Sequence, residues 1–484
     1  MIPSLILAID QGGQSSRVAV YDCSGKQLCC FSAPCATNNY PLENSVQYIE
    51  QNGKEILEGI RDCLLKIKLI LGVDIARIQA AGFAGQGSSL LCWDTLTGAA
   101  LTPVLSWQDI RGEHYLKNIF IPHEELQVIA GLRLSPHYGA SKIRWCLEKS
   151  PVVVQALKNN RLSVGPIVSY IFWHLLARKN VVDPGHAQRT LLWNLQKNTW
   201  DNSLLNLFKI PKAVLPECLF HDSHFGDLML DEYKIPFTAC ARDQGASLFA
   251  RGMPEHNAYY INLGTGAFIQ RVSEQLTAPS GLLVSPLWLS KDAHEKKLFC
   301  WEATVNGAAS AMTFMQQQTG LLLTPNEVQH ALTLSPPHAC YFLNAIGGLS
   351  APYWRTDLQS QFGEPSSPHE KILAWLESVI FQIMENVNLM AALDKSLQQT
   401  KKIIISGGLS NVDAICQKIA DLSHLPVHRS DNTDATLQGI ACLAAGISMQ
   451  WQPQQNSDIF MPQENRAIHS RFQYWKVKMS EWLQ

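Results

Sequence analysis

Short apolar runs recur along this chain, and glycine or a charged residue ends most of them. Over residues 5–33, "LILAID" leads into "RVAVYD", and the turn "CSGK" leads into "QLCCFSA". This pattern predicts three strands joined by tight turns. The period then changes over 51–71, where Ile56, Ile60, Leu64, Ile67 and Leu71 share one face at helical spacing. Strand patterns return at "IQAAGFAG", at "SLLCWD", and after the turn "TLTG" at "VLSWQD". Residues 110–230 read as more helical and aromatic, with Trp145, Trp173, Trp193 and Trp200 among them. "AYYINLGTGAFIQRV" (258–272) and "KKIIISGG" (401–408) are again strand-like, and the second runs into a helix bearing Val412, Ile415, Cys416, Ile419 and Leu422 on one side. From 448 a polar "QPQQNSD" precedes an amphipathic "FQYWKVKMSEWL". Each half opens a glycine-bearing loop after a buried strand, which predicts an α/β protein of two related domains facing each other.

Composition narrows the partners. The chain has 484 residues, too many for one ordinary core, with 46% hydrophobic and 17% charged positions. Its 39 basic and 41 acidic residues leave a formal net charge of -2, which argues against nucleic acid or an anionic membrane surface and for a small-molecule partner. The 13 cysteines are odd in number and scattered without C-x-x-C, so buried free thiols fit better than zinc ligands or disulfides. Cys29 and Cys30 are neighbours in a strand and face opposite ways. "MIPSLILAIDQ" lacks a basic start and carries Asp10 too early for a signal peptide. "IVSYIFWHLLA" (167–177) is too short to cross a bilayer, and a cytoplasmic protein is expected.

Three glycine turns are candidate anion cradles: Gly12-Gly13, Gly264-Thr265-Gly266 and Gly407-Gly408. Backbone N–H groups in such turns converge on phosphate, and glycine removes the Cβ that would block approach. A plain tight turn is the rival at each. Asn411 stands where a helix begins and is either its N-cap or a nucleotide neighbour. Asp10 ends the first strand and Asp243 precedes a helix in "ARDQGASLFA". Two such carboxylates suit transfer of phosphate to an alcohol, one accepting the hydroxyl proton and one steadying Mg²⁺ through water. Asp243 reads equally as an N-cap. "SWQDIRG" groups Trp107, Asp109 and Arg111, a flat face with directional donors for a polyol, or a core tryptophan beside an ion pair. His221 and His224 have no third metal ligand near them in sequence. No G-x-S-x-G, H-E-x-x-H or G-x-x-x-x-G-K-[ST] is present.

In this order the segments resemble the FGGY carbohydrate kinases, and within that family the glycerol-kinase branch. "DQGGQSSR" is similar to D-Q-G-T-T-S-S-R, "WQDIR" to W-Q-D-R-R, and "RDQGASLFA" to G-D-Q-Q-A-A-L-F-G. "RTLLWNLQKNTWD", the G-T-G turn, "SAPYW" and "GGLSN" follow as the family has them, over about residues 5–447. The resemblance implies two actin-like (ribonuclease H-like) domains flanking a catalytic cleft. Residues 1–247 would bind sugar or polyol, 248–447 would bind ATP, and 448–484 would form a tail. It implies Asp243 as general base and Asp10 as the Mg²⁺ residue. Gly12, Gly13, Gln14, Arg17, Gly264, Thr265 and Gly266 would meet the phosphates, and Gly407, Gly408 and Asn411 the adenosine end. Trp107, Asp109, Gln244, Gly87, Ser88 and His137 would line the acceptor pocket.

The departures matter. The family's paired threonines are Gly13 and Gln14 here, which removes two hydroxyl donors worth on the order of 1 kcal/mol each. Where glycerol kinases read N-Q-R-E-T this chain reads "GQGSS", so an Arg-Glu pair becomes Gly87 and Ser88. The tyrosine of D-P-Y-F becomes His137 in "SPHY". A larger pocket follows, suited to a bulkier polyol or ketose more than to glycerol. The altered loops also motivate a rival class, a nucleotide-binding regulatory or sensor protein on the same scaffold; retention of Asp10 and Asp243 counts against it. A chaperone or filament ATPase is disfavoured by "SWQDIR" and "RTLLWNL". The sequence leaves room for a homodimer.

Overall fold

The three N-terminal runs pair as expected: Leu5–Gln11 (β1), Ser15–Asp22 (β2) and Gln27–Pro34 (β3) form an antiparallel meander. The computed structural model describes residues 4–41, 47–292, 294, 297–334, 340–364, 367–393, 400–430, 434–447, 450–452 and 457–484. Ile78–Gly85 (β4) lies parallel to β1 on its other side. Gly226–Leu230 (β5) and Tyr233–Arg242 (β6) complete a six-stranded sheet of order β5-β6-β4-β1-β2-β3, with β6 parallel to β4. β1 is buried at every residue, which is why it reads as a continuous apolar run without alternation.

The helix predicted over 51–71 is Gly53–Leu71 (α1). Asn52 caps it by accepting from Lys54 N and Glu55 N, and Gly72 ends it at φ 54°. Its Ile56, Ile60, Leu64 and Ile67 are buried against β2 and β3. Two shorter helices matter for the site: Pro184–Gln188 (α2), capped by Asp183, and Asp243–Ser247 (α3), which starts where β6 stops. "VLSWQD" gives only a two-residue strand, Val104–Leu105, because the chain turns at Ser106–Asp109 (Asp109 N to Ser106 O, 3.0 Å).

The second half repeats the plan. Ala258–Leu263 (β7), Ala267–Ser273 (β8), Leu283–Trp288 (β9), Leu298–Val305 (β10), Lys402–Ser406 (β11), Val427–Ser430 (β12) and Ser457–Phe460 (β13) form a sheet of order β9-β10-β8-β7-β11-β12-β13. Within it β10-β8-β7-β11-β12 matches β3-β2-β1-β4-β6, antiparallel, antiparallel, parallel, parallel. Two sheets with one strand order and one set of senses make this a pair of ribonuclease H-like domains.

Four helices of the second half matter here: Pro368–Leu393 (α4), Asp413–Ser423 (α5), Ala435–Ala444 (α6) and Arg466–Trp482 (α7). The segment expected as a tail is built into this domain. β13 is its edge strand, and α7 buries Ile468, Phe472, Trp475 and Met479, with Arg471 paired to Glu377 of α4. Residues 453–456 of the polar stretch lie outside the described residues. α6 crosses over and lies on β1, β4, β6 and α3 of the first domain. The contact is made of small residues, among them Ala8, Ala80, Ala84, Ala239, Ala241, Ala246 and Ala441. Backbones meet there: a Cβ on Gly439 would stand 1.8 Å from the Ala246 carbonyl oxygen, and one on Gly82 2.7 Å from that of Ile440.

Candidate active site

Asp10 and Arg242 pair with adjacent residues of β4 from its opposite sides, Asp10 with Ala84 and Arg242 with Gly85. Asp10 and Asp243 therefore sit at the carboxyl ends of two parallel strands that flank a third, where a doubly connected α/β sheet opens its crevice. Asp243 Oδ1 accepts from its neighbour's amide, Gln244 N, at 2.7 Å, and it is the first residue of α3, not the N-cap. Burial raises its pKa. Burial likewise lifts Asp10 to about 6, against the opposing pull of Arg17, and the charges of Asp243 and Asp434 add to the rise.

Arg17 bridges the domains, pairing with Asp10 at 2.6 Å and with Asp434 at the start of α6. Two carboxylates thus share one guanidinium, with the Asp243 carboxylate near enough to raise Asp10 further. A surplus of oxygen donors and negative charge suits a hard divalent cation such as Mg²⁺.

A cavity of about 630 Å³ opens from Asp243 into the second domain. Asp243, Gln244, Gly407, Gly408 and Asn411 line it, with Phe268, Ser406, Ser430 and Thr436. Asn411 is exposed at the end of a short turn, Gly408–Asn411, and the N-cap position of α5 is Val412. Gly407 takes φ 96° and leaves no room for a side chain, since its Cβ would stand 2.6 Å from the Leu263 backbone. That contact seats Gly407 against the β7–β8 turn of Gly264, Thr265 and Gly266. The β1–β2 turn of Gly12, Gly13 and Gln14 holds the equivalent place in the first sheet. In it Gly12 N donates to Ser15 O at 2.9 Å, as Gly264 N donates to Gly266 O at 2.9 Å. A Cβ at Gly13 would meet nothing within 4 Å, so threonine is absent there for no steric reason.

On the first-domain side Ser88, Trp107 and His137 converge. Lys142 Nζ donates to the carbonyls of Ser88 (3.2 Å) and Ser106 (2.8 Å), and burial brings this amine down to about 7. His137 Nδ1 donates to the Trp107 carbonyl at 3.3 Å, and Trp107 is 43% exposed. Asp109 does not join them. Its fully buried carboxylate accepts from Ile49 N at 2.8 Å and pairs with Arg111, which also reaches Glu50 and stacks on Tyr48 and Trp145. The pocket expected at Gly87 is not vacant either: a Cβ there would lie 3.1 Å from Arg242 Cδ and 3.2 Å from Arg189 Cγ.

Those arginines are the part of the site that motif reading missed. Both reach Glu302 of β10 in the second domain, Arg242 at 2.7 Å, and Ser285 Oγ donates to the same carboxylate at 2.9 Å. Burial pushes Glu302 up, but the two guanidiniums outweigh it and hold the acid at about 2. The available signal was an acid inside the apolar run "LFCWEATV". Tyr138, one residue beyond the expected phenol, turns its hydroxyl to Arg189 at 3.5 Å. Behind β4, His186 pairs with Asp183 and donates from Nε2 to the Gly85 carbonyl (3.2 Å). His221 faces Asp183 inside the domain whereas His224 pairs with Asp227 in partial exposure, so the two histidines do not converge. Among the described residues no helix is long and apolar enough to cross a membrane, and the cysteines are unpaired.

Comparison with known proteins bears on this geometry. Residues 5–250 match the model of the FGGY family of carbohydrate kinases, N-terminal domain, and 259–447 that of its C-terminal domain. A glycerol kinase of Geobacter sp. (strain M21) is 29% identical over 96% of this chain and 95% of its own. A Plasmodium falciparum glycerol kinase crystallised with ADP superposes with a TM-score of 0.87 at 21% identity, covering 100% of this chain and 99% of that one. A xylulose kinase from Rhodospirillum rubrum gives 0.85 at 16% identity, covering 99% and 98%. The last two likenesses concern the fold.

Proposed function

This chain belongs to the FGGY family of carbohydrate kinases, and we propose on that footing that it transfers the γ-phosphoryl group of ATP to a hydroxyl of a sugar or polyol through Asp243. The reading is carried by one observation: Asp10 and Asp243 stand at the ends of parallel strands on either side of β4, and Asp243 opens on a cavity that reaches the second domain. The acceptor hydroxyl lies against Asp243, which takes its proton as the new oxygen–phosphorus bond forms and the bond to the β,γ-bridging oxygen breaks. The raised pKa of Asp243 makes it a better base than an exposed carboxylate.

Gly12, Gly13 and Gln14 of one turn and Arg17 of β2, with Gly264, Thr265 and Gly266 of the other turn, approach the phosphates from the two domains. Gly407, Gly408 and Asn411 border the adenosine end. Asp10 would hold Mg²⁺, whose charge would offset that of the transferred group. Trp107, Ser88, His137 and Gln244 face the acceptor. Residues up to 247 serve the acceptor and 248–447 the nucleotide, with 448–484 bracing the second domain.

The test is Asp243→Asn in a coupled assay for ADP release over a panel of sugars and polyols. We expect kcat to fall ~10²–10⁴-fold with ATP affinity kept. Full turnover by that variant would remove Asp243 from the reaction. ATP binding by the wild type with no turnover on any acceptor would favour a regulatory protein instead.

A further inference from the structure

We infer that Arg242 selects the acceptor and that the acceptor carries a carboxylate, as in an aldonate, instead of being a neutral polyol. This rests on the kinase reading and adds the charge of the substrate to it.

Space comes first. Arg242 precedes Asp243, and its stem passes 3.1 Å from where a Cβ of residue 87 would stand. An arginine side chain at 242 and any side chain at 87 compete for one volume; here 87 is glycine and 242 holds the guanidinium. Hydrogen bonding comes second. Arg242 is 6% exposed, and among the described residues only its Nη2 has an acceptor, Glu302 Oε1. Arg189, which flanks Gly87 from the other side, has a buried Nε with no partner. Arg242 therefore keeps unspent donors beside the base, and the Arg189 Nε beside it is a buried donor that lacks an acceptor.

Charge comes third. Glu302 is one carboxylate serving two guanidiniums, and the other acid at this spot, Asp243, accepts from Gln244 N. Against the motifs given above, the chain loses a cation at Gly87 and an anion at Ser88 and gains a cation at Arg242. At these three positions the chain carries one more positive charge than the motifs of the glycerol-kinase branch. A planar guanidinium with free donors matches a carboxylate better than it matches isolated hydroxyls.

The experiment assays the full chain with ATP against matched pairs of equal carbon number: glycerate with glycerol, xylonate with xylitol, gluconate with glucitol. We expect one acid to exceed its alditol at least tenfold in kcat/KM. In Arg242→Gln that ratio falls at least tenfold, and in Arg242→Lys, which keeps the charge without the fork, it falls by less. Preference for the alditols, or a ratio unchanged in a folded Arg242→Gln protein, would overturn the inference and leave the kinase reading standing. Absence of turnover on every acceptor, acid or neutral, with ATP bound, would overturn both.

Discussion

At the residue scale the most informative side chain is Asp10. Its carboxyl has a pKa of about 6 in the folded chain against an ordinary value near 3.8. A folded-state value above the unfolded one means the folded form holds its proton more tightly. The stability this group contributes is thus complete below about pH 3.8 and lost as pH rises through about 6, on the order of 3 kcal/mol in all. The ligand-free protein at neutral pH keeps an ionised acid at a cost, a common trade at a working site. Asp10→Asn should therefore raise the melting temperature of the ligand-free chain at pH 7.5, with the gain vanishing by pH 4, while magnesium-dependent turnover drops. Equal stability of the two proteins across that range would contradict the assignment. A calorimetric scan at four or five pH values decides it.

At the scale of elements, periodicity located those whose faces differ and missed those that depend on distant partners. β1 to β3, α1, β7, β8, β11 and α5 were legible because burial writes an apolar run or an apolar stripe directly into the chain. "VLSWQD" was not, since its second half is turned by Asp109 in a buried ion pair with Arg111, a partnership that spacing does not reveal. Asp109 was misplaced at the site for the same reason. Arg242 and Glu302 escaped notice because they are sixty residues apart and meet only across the domains. α7 looked like an appendage, yet its Trp475 is 1% exposed and donates to the Phe342 carbonyl at 3.0 Å. Trp475→Ala should cost ~3–5 kcal/mol of unfolding free energy, measured by denaturant titration, by leaving a cavity and an unpaired carbonyl. A loss under 1 kcal/mol would mean that α7 only rests on the surface.

At the scale of the whole molecule, the two domains are joined by ion pairs, by a shared apolar cluster and, at Gly439 and Gly82, by close backbone approach. Gly439 on α6 touches the Ala246 carbonyl on α3, three residues after Asp243. Even one methyl group there must push α6 and α3 apart and move the base with them. A displacement of about 1 Å costs on the order of 10²-fold in rate. Gly439→Ala should therefore lower kcat about a hundredfold as well as the melting temperature, and a variant with wild-type kcat would show that the two helices are not coupled to the reaction.

The cover that α6 provides has a consequence for how the protein is made. The alanine-lined face of the first sheet is finished when the ribosome reaches Arg242, but its lid is encoded almost two hundred residues downstream. At ~5–20 residues per second that face stays bare for roughly 10–40 s on every nascent chain. Through that interval the half-made protein leaves an apolar sheet face uncovered, the kind of surface on which nascent chains associate.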